Sequence, residues 1–405
     1  MTALSIALGV IIAGLLFFVR QTRQRSALLE RQLGELRSQL FDSSSRIADF
    51  RSQIEELSGK VATLSNLLET SRPTPAPPID SEVLRKMTEG EMIELAESIA
   101  TLRPLVPYPG WRFGADLSNP DLAFQMRQLI WQTFHTRKSE APITVGWHLG
   151  TRLRLHLGND LSRQIYVGGC IDPNEFAFLD RYLQPGMTFI DAGANEGIYT
   201  IFAEERVGGN GTVWAFEPSR REFQRLQSNV DLNASLNGSP RATVRLFPFA
   251  LADRPGKAEL TIAGSEHAGH NTLGAFAYEG VAIEEKQIVD LRRLDDVVAE
   301  EPPSRIDVIK LDVEGTEMRV LEGAESVLQR YRPVLLLEVS QASLDHQDTS
   351  REKLLGFLRA RDYSLYLFDS SGLPAYAPPD TYGDNMLAVP VGTALPSSVF
   401  QLWTR

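Results

Sequence analysis

The chain has 405 residues, 43% of them hydrophobic and 23% charged, an ordinary globular balance. Its length exceeds one small domain, so a large folded domain with added segments is expected. The net charge of −11 argues against a broad grip on nucleic acid, and the single cysteine, Cys170, excludes an intramolecular disulfide. With no disulfide framework, the folded part reads as residing in a reducing compartment and Cys170 as a buried structural thiol.

In chain order, residues 3–19 (ALSIALGVIIAGLLFFV) carry no charge and would form a helix of roughly 25 Å, within reach of a membrane span. A cleaved signal fits less well, because no basic residue precedes the run and no small-residue cleavage site follows it. Arg20, Arg23, Arg25 and Arg31 come after the span, which places the bulk of the chain on the cytoplasmic side. Residues 1–24 are therefore expected to anchor the protein in a membrane.

A heptad repeat follows over 25–70. Leu33, Leu40, Ile47, Ile54, Val61 and Leu68 fall seven apart at one seam position; Leu29, Leu36, Ser43, Phe50, Leu57 and Leu64 fill the other. β-Branched residues at several of the first positions, with mostly leucine at the second, favour a parallel coiled-coil homodimer, a trimer being the alternative. Residues 71–80 contain RPTPAPP, whose prolines end the helix and favour an extended linker. Residues 81–142 read as a helical extension, amphipathic over 81–102 and helical again over 120–135.

From 143 to 405 the pattern is α/β. RLRLHL (152–157) and RQIYVGG (163–169) are expected to pair as a hairpin around Gly158-Asn159-Asp160. Short apolar strands then alternate with amphipathic helices, the pattern of a parallel sheet covered on both faces. In MTFIDAGANEGIYTIFAEE (187–205) a strand ends at Asp191, a glycine loop with Gly193 and Gly197 follows, and a helix begins near Ile198. Glycines permit a tight turn and close approach of a ligand, and the helix N-terminus presents free N–H groups. A second strand, TVWAFEPS (212–219), ends at Glu217, suited to gripping ribose hydroxyls. The loop lacks the G-x-G-x-x-G of a dinucleotide site, and the acid before it suits an ammonium better than a pyrophosphate. These residues favour S-adenosylmethionine over a nicotinamide dinucleotide.

DAGANEG, AFEPS, IDVIKLDVEGTEMRVLEGAE and RPVLLLEV together resemble the FkbM-type family of S-adenosylmethionine-dependent methyltransferases, over roughly residues 145–390. The resemblance implies a Rossmann-like seven-stranded sheet with an antiparallel last strand, RDYSLYLF (361–368) and NMLAVP (385–390) supplying its final two strands. It implies methyl transfer to a hydroxyl. It also implies a first cofactor loop of Asp191, Gly193, Asn195 and Gly197, Glu217 on the ribose, and a strand through RLFPFALAD ending beside the adenine near Ala250.

VIKLDVEGTE (308–317) alternates apolar residues with Lys310, Asp312 and Glu314, which as a strand would share one face. Asp312 is the expected base or acceptor-orienting group, Glu314 its partner, and His270, in the SEHAGHNTL loop with His267, a further catalytic candidate. Glu338 is the expected partner of the deeper Lys310, and Glu317 is expected to complement the next helix's dipole. No metal site is expected. The chain thus reads as a membrane-anchored methyltransferase acting on a glycan or small-molecule acceptor, with no nucleic-acid partner. An inactive cofactor-binding scaffold and a nicotinamide-dependent oxidoreductase are the rival readings.

Overall fold

The computed structural model of the protein describes residues 81–102 and 122–400, apart from loop positions between 235 and 239, at 268, between 275 and 279, at 348, and between 370 and 382. The expected anchor (1–24), coiled coil (25–70) and linker (71–80) lie outside the described residues. Among the described residues, no helix is long and apolar enough to cross a membrane.

The N-terminal extension begins with α1 (Ser81–Lys86) and α2 (Glu89–Leu102). The amphipathic stretch is broken at Thr88, whose hydroxyl accepts from the Glu91 N–H while the Glu91 carboxylate accepts from the Thr88 N–H. This reciprocal cap starts α2 afresh. Met92, Ala96 and Ala100, four residues apart, bury one face of α2 in the same core as Ile130, Trp131 and Phe134 of α3 (Leu122–Arg137).

The hairpin differs from the expectation. Strand β2 (Arg152–His156) pairs antiparallel with β1 (Pro142–Gly146), not with residues 163–169. The Asn159 side chain accepts from the Ser162 N–H and opens a helical turn that continues through Arg163–Val167. Ile165, Tyr166 and Val167 are all buried, and the burial alternation of a half-exposed strand is absent.

The central sheet holds β3 (Thr188–Ala192), β4 (Thr212–Phe216), β5 (Thr243–Phe247), β9 (Val308–Leu311), β10 (Val334–Glu338), β11 (Tyr363–Phe368), β12 (Pro374–Tyr376) and β13 (Asn385–Pro390). Their order is β12-β11-β13-β10-β9-β3-β4-β5. The seven expected strands are present; β13 runs antiparallel between β10 and β11, and the short β12 adds an eighth at the edge. The chain passes from β3 outward to β5 and then returns to β9 on the other side of β3. That reversal opens a crevice at the C-terminal strand ends between β3 and β9. Every residue of β3 and β9 is buried, as expected of parallel strands covered on both faces.

A second, three-stranded sheet contains β6 (Ala250–Leu251), β7 (Gly256–Ala263) and β8 (Ile283–Arg292). The strand expected through 245–253 is therefore two: β5 ends at Phe247, before Pro248, and Ala250 pairs with Leu291 of β8. Pro248 cannot donate to a ladder, so the chain changes sheets there. The 264–282 loop between β7 and β8 overhangs the crevice.

Helix α6 (Arg220–Ala234) ties the β1–β2 hairpin to this frame through two fully buried asparagines four residues apart. Asn233 accepts from the Arg152 N–H at 2.9 Å and donates to the Arg152 carbonyl at 2.7 Å. Asn229 accepts from the Arg154 N–H at 2.7 Å. The two amides thus complete the free edge of β2 as a neighbouring strand would. Asn233→Ala leaves two backbone groups unpaired and should cost about 2–4 kcal/mol in urea unfolding, whereas exposed Gln227→Ala should cost under about 0.5 kcal/mol.

Candidate active site

The glycine loop turns at the C-terminal end of β3, where Gly193 (φ 80) and Gly197 (φ 88) adopt left-handed backbone. A Cβ on Gly193 would fall well inside contact distance of the Asp312 carbonyl oxygen, so the loop closes directly on the backbone after β9. Asn195, also left-handed at φ 50, donates its backbone N–H to Glu217 Oε2 at 2.9 Å. Helix α5 (Ile198–Val207) starts immediately after the loop.

Glu217 sits at the end of β4 with its other oxygen accepting from the Ser219 N–H at 2.8 Å. Burial, then the nearby Glu222, pushes its pKa up to about 8. Glu217, Asn195, Gly193 and Ala250 all line one cleft of about 230 Å³, with Phe216, Phe249 and Leu251 as apolar walls. The cofactor loop, the ribose acid and the adenine end expected from sequence are therefore brought together.

Asp191 departs from its expected role. It is fully buried, does not line the cleft, accepts from the Thr200 hydroxyl at 2.7 Å and faces Lys310 Nζ at 3.8 Å. Strand geometry explains this: Asp191 pairs in register with Lys310, and both project into the sheet's covered face. The carboxylate that lines the cleft beside the glycine loop is Asp172, just before α4 (Pro173–Tyr182), a residue without a sequence signal.

Strand β9 ends at Leu311, so Asp312 and Glu314 lie beyond it. Lys310 Nζ meets Asp312 Oδ2 at 3.0 Å, making Asp312 and Asp191, not Glu338, its partners. The turn through Glu314 (φ 52) and Gly315 (φ 99) aims Glu314 at His270, whose Nδ1 lies 3.3 Å from Glu314 Oε1. That hydrogen bond raises the His270 pKa, while burial, then Asp312, raises that of Glu314. His267 instead contacts Asp160 at 2.7 Å and stays outside the cleft lining. Glu317, at the start of α7 (Glu317–Glu322), accepts from the Val313 and Gly315 N–H groups and shapes the turn. Cys170 is buried with its thiol on the Ile171 carbonyl, a structural role.

Glu338, at the end of β10, joins Asp312 and Glu314: one oxygen of each lies within 4.8 Å of the others. Burial, then Asp312, pushes the Glu338 pKa up to about 11, so it is protonated at neutral pH. The triad can share a proton or hold a divalent cation, a geometry that needs both β9 and β10 to bring it together.

An α/β sheet with a cleft at its reversal point, a glycine loop and an acid at the end of the next strand fits a nucleotide-type cofactor, and comparison with known proteins points to its kind. Residues 191–365 match the family model described as Methyltransferase FkbM domain. Curated relatives include "Methyltransferase 1" of Beauveria bassiana, 28% identical over 41% of this chain and 66% of its own length. They also include the 31-O-demethyl-FK506 methyltransferase FkbM of Streptomyces tacrolimicus, 30% identical over 35% of this chain and 61% of its own. The 2-O-methyltransferase NoeI of Sinorhizobium fredii is 28% identical over 37% and 62% respectively. The chain spans 61–66% of the length of these three relatives. Residues 191–365 are thus similar to a methyltransferase domain of the FkbM type, and S-adenosylmethionine is the cofactor this similarity implies.

Two predictions follow from this geometry. Gly193→Ala should weaken S-adenosylhomocysteine binding at least ~100-fold and destabilise the fold by about 2–4 kcal/mol, read by calorimetry and urea unfolding. The raised acids Glu175 (about 8), Glu217 (about 8) and Glu338 (about 11) bind protons in the folded state that the unfolded chain has released. Their stabilisation is complete below the unfolded carboxylate pKa and is lost as pH rises toward the folded values. The melting temperature of the ligand-free protein should therefore fall by several degrees between about pH 5 and about pH 9, and Glu217→Gln should flatten that slope.

Proposed function

We propose that this protein is an S-adenosylmethionine-dependent methyltransferase acting on a hydroxyl of a glycan or other small metabolite. The observation that carries this reading is the make-up of the cleft: the carboxyl groups of Asp172, Glu217, Asp312 and Glu314 line it with a protonated Glu338 beside them, its lysine, Lys310, is already engaged by Asp312, and no arginine stands among its described lining residues. Such a wall repels a pyrophosphate and favours a donor bearing a sulfonium and an ammonium. Gly193 closing on the Asp312 carbonyl, Glu217 at the end of β4 and the aromatic walls fit the donor's ribose and base. Oxygen methylation is supported by two relatives, a 2-O-methyltransferase and a 31-O-demethyl-FK506 methyltransferase.

When bound, the donor supplies a methyl group for in-line displacement by the acceptor oxygen. The chain's own task is to align that oxygen, exclude water and take its proton. Asp312 is held in place by the Lys310 ammonium at 3.0 Å, at the end of β9 beside the glycine loop, and orients the acceptor hydroxyl. The Glu314–His270 pair receives the proton. In this reading residues 3–19 tether the enzyme to a membrane with the domain on the cytoplasmic side, and the heptads of 25–70 pair two copies.

Calorimetric titration of the protein with S-adenosylhomocysteine and with NAD tests the reading. Saturable binding of the former in the range of about 1–100 μM, with none of the latter, is expected. Binding of NAD alone would turn the assignment toward an oxidoreductase.

A further inference from the structure

The acid that the sequence places at the glycine loop, Asp191, is sealed behind it, so another group must face the donor's amino-acid portion. Asp172 is the carboxylate on that wall of the cleft, sharing it with Asn195, Ile198 and Tyr199. Its backbone is left-handed (φ 39, ψ 57), a conformation costly for most residues but tolerated by Asp and Asn. Tyr199, in the first turn of α5, donates its hydroxyl to Asp172 Oδ2 at 2.9 Å. The Tyr199 ring is itself clamped, stacked on Phe176 at 4.4 Å between centroids and lying 4.6 Å beneath Lys310 Nζ. The carboxylate is thus fixed by residues that come from three separate elements.

Burial, then the charge of Asp312, disfavours an anion at Asp172. Lys310, the nearby cation, is already engaged by Asp312 at 3.0 Å and Asp191 at 3.8 Å. A strained, desolvated carboxylate on a ligand-facing wall is suited to receiving a cation from the ligand.

Resting on the methyltransferase reading, we propose that Asp172 binds the α-ammonium of the methyl donor's amino-acid portion, with Tyr199 as its positioning residue. The aminoacyl end then lies between α4 and the glycine loop, opposite the Glu217 end of the cleft, and its sulfonium is directed toward Asp312 and Glu314.

Two ligands separate this assignment from the reading beneath it: S-adenosylhomocysteine, and 5′-methylthioadenosine, which lacks the amino-acid portion. Asp172→Asn keeps a residue that accepts left-handed backbone. It should weaken S-adenosylhomocysteine by roughly 10- to 100-fold while changing methylthioadenosine by less than about 2-fold, measured by calorimetry. Tyr199→Phe should weaken S-adenosylhomocysteine about 3- to 10-fold with the same selectivity. Unchanged S-adenosylhomocysteine affinity in Asp172→Asn, or an equal loss for both ligands, overturns the assignment. Failure of the unaltered protein to bind either ligand overturns the methyltransferase reading itself.

Discussion

A buried ammonium organises the centre of this domain. Lys310 lies on β9 beside β3, in register with Asp191, where both strands are covered on both faces. Burial alone pulls a lysine's pKa down, yet Asp312 and then Asp191 outweigh that and raise it, so the group stays charged. An unpaired charge at this depth costs several kcal/mol, and the neighbouring acids and the Tyr199 face offset it. That requirement fixes Asp191 inward and draws Asp312 back over the strand end. It also brings the backbone after β9 against Gly193, where only a residue without a side chain fits.

The acidic rim follows from that arrangement. Once Lys310 is engaged from within, it neutralises little of the cleft wall, where Asp172, Glu217, Glu314 and Glu338 remain. Burial raises the pKa of each of the four. These groups oppose folding as they ionise and so represent a local sacrifice of stability, of the sort found where charge must be offered to a ligand. Glu217 is the best supported of them, with two backbone N–H groups held by its two oxygens.

Much of the cofactor half was legible in sequence because it is built from contiguous residues. A strand, two glycines and a helix within one stretch of chain determine the loop, and the next strand's last residues supply Glu217. The parallel core strands were legible from their apolar runs, and the antiparallel β13 from the family resemblance alone. What was hidden depends on long-range packing. Asp172 gains its place only because Tyr199, 27 residues on, reaches it. The β1–β2 hairpin is held by asparagines more than 70 residues downstream, and residues 163–167 turn helical because Asn159 caps them locally. Alternation in VIKLDVEG suggested a strand through Glu314, whereas left-handed backbone at Glu314 and Gly315 ends it early and turns the carboxylate toward His270.

The same division separates what the two halves of the cleft can specify. The donor side rests on β3, β4 and their loops, whose geometry the sheet itself dictates. On the proposed reading, the acceptor side is assembled from the 264–282 loop, the β9 turn and the end of β10. These pieces are stitched by side chains: Thr272 donates to the Glu314 carbonyl at 2.9 Å, and Gln347 to the Leu273 carbonyl at 2.9 Å. Asn271 accepts from the Ala263 N–H at 2.9 Å, closing the loop on its own strand. A substitution in the 264–282 loop can therefore move His270 relative to Glu314 without disturbing Gly193, Glu217 or the buried lysine. Acceptor choice can change on this scaffold while the donor site and the core that supports it stay as they are.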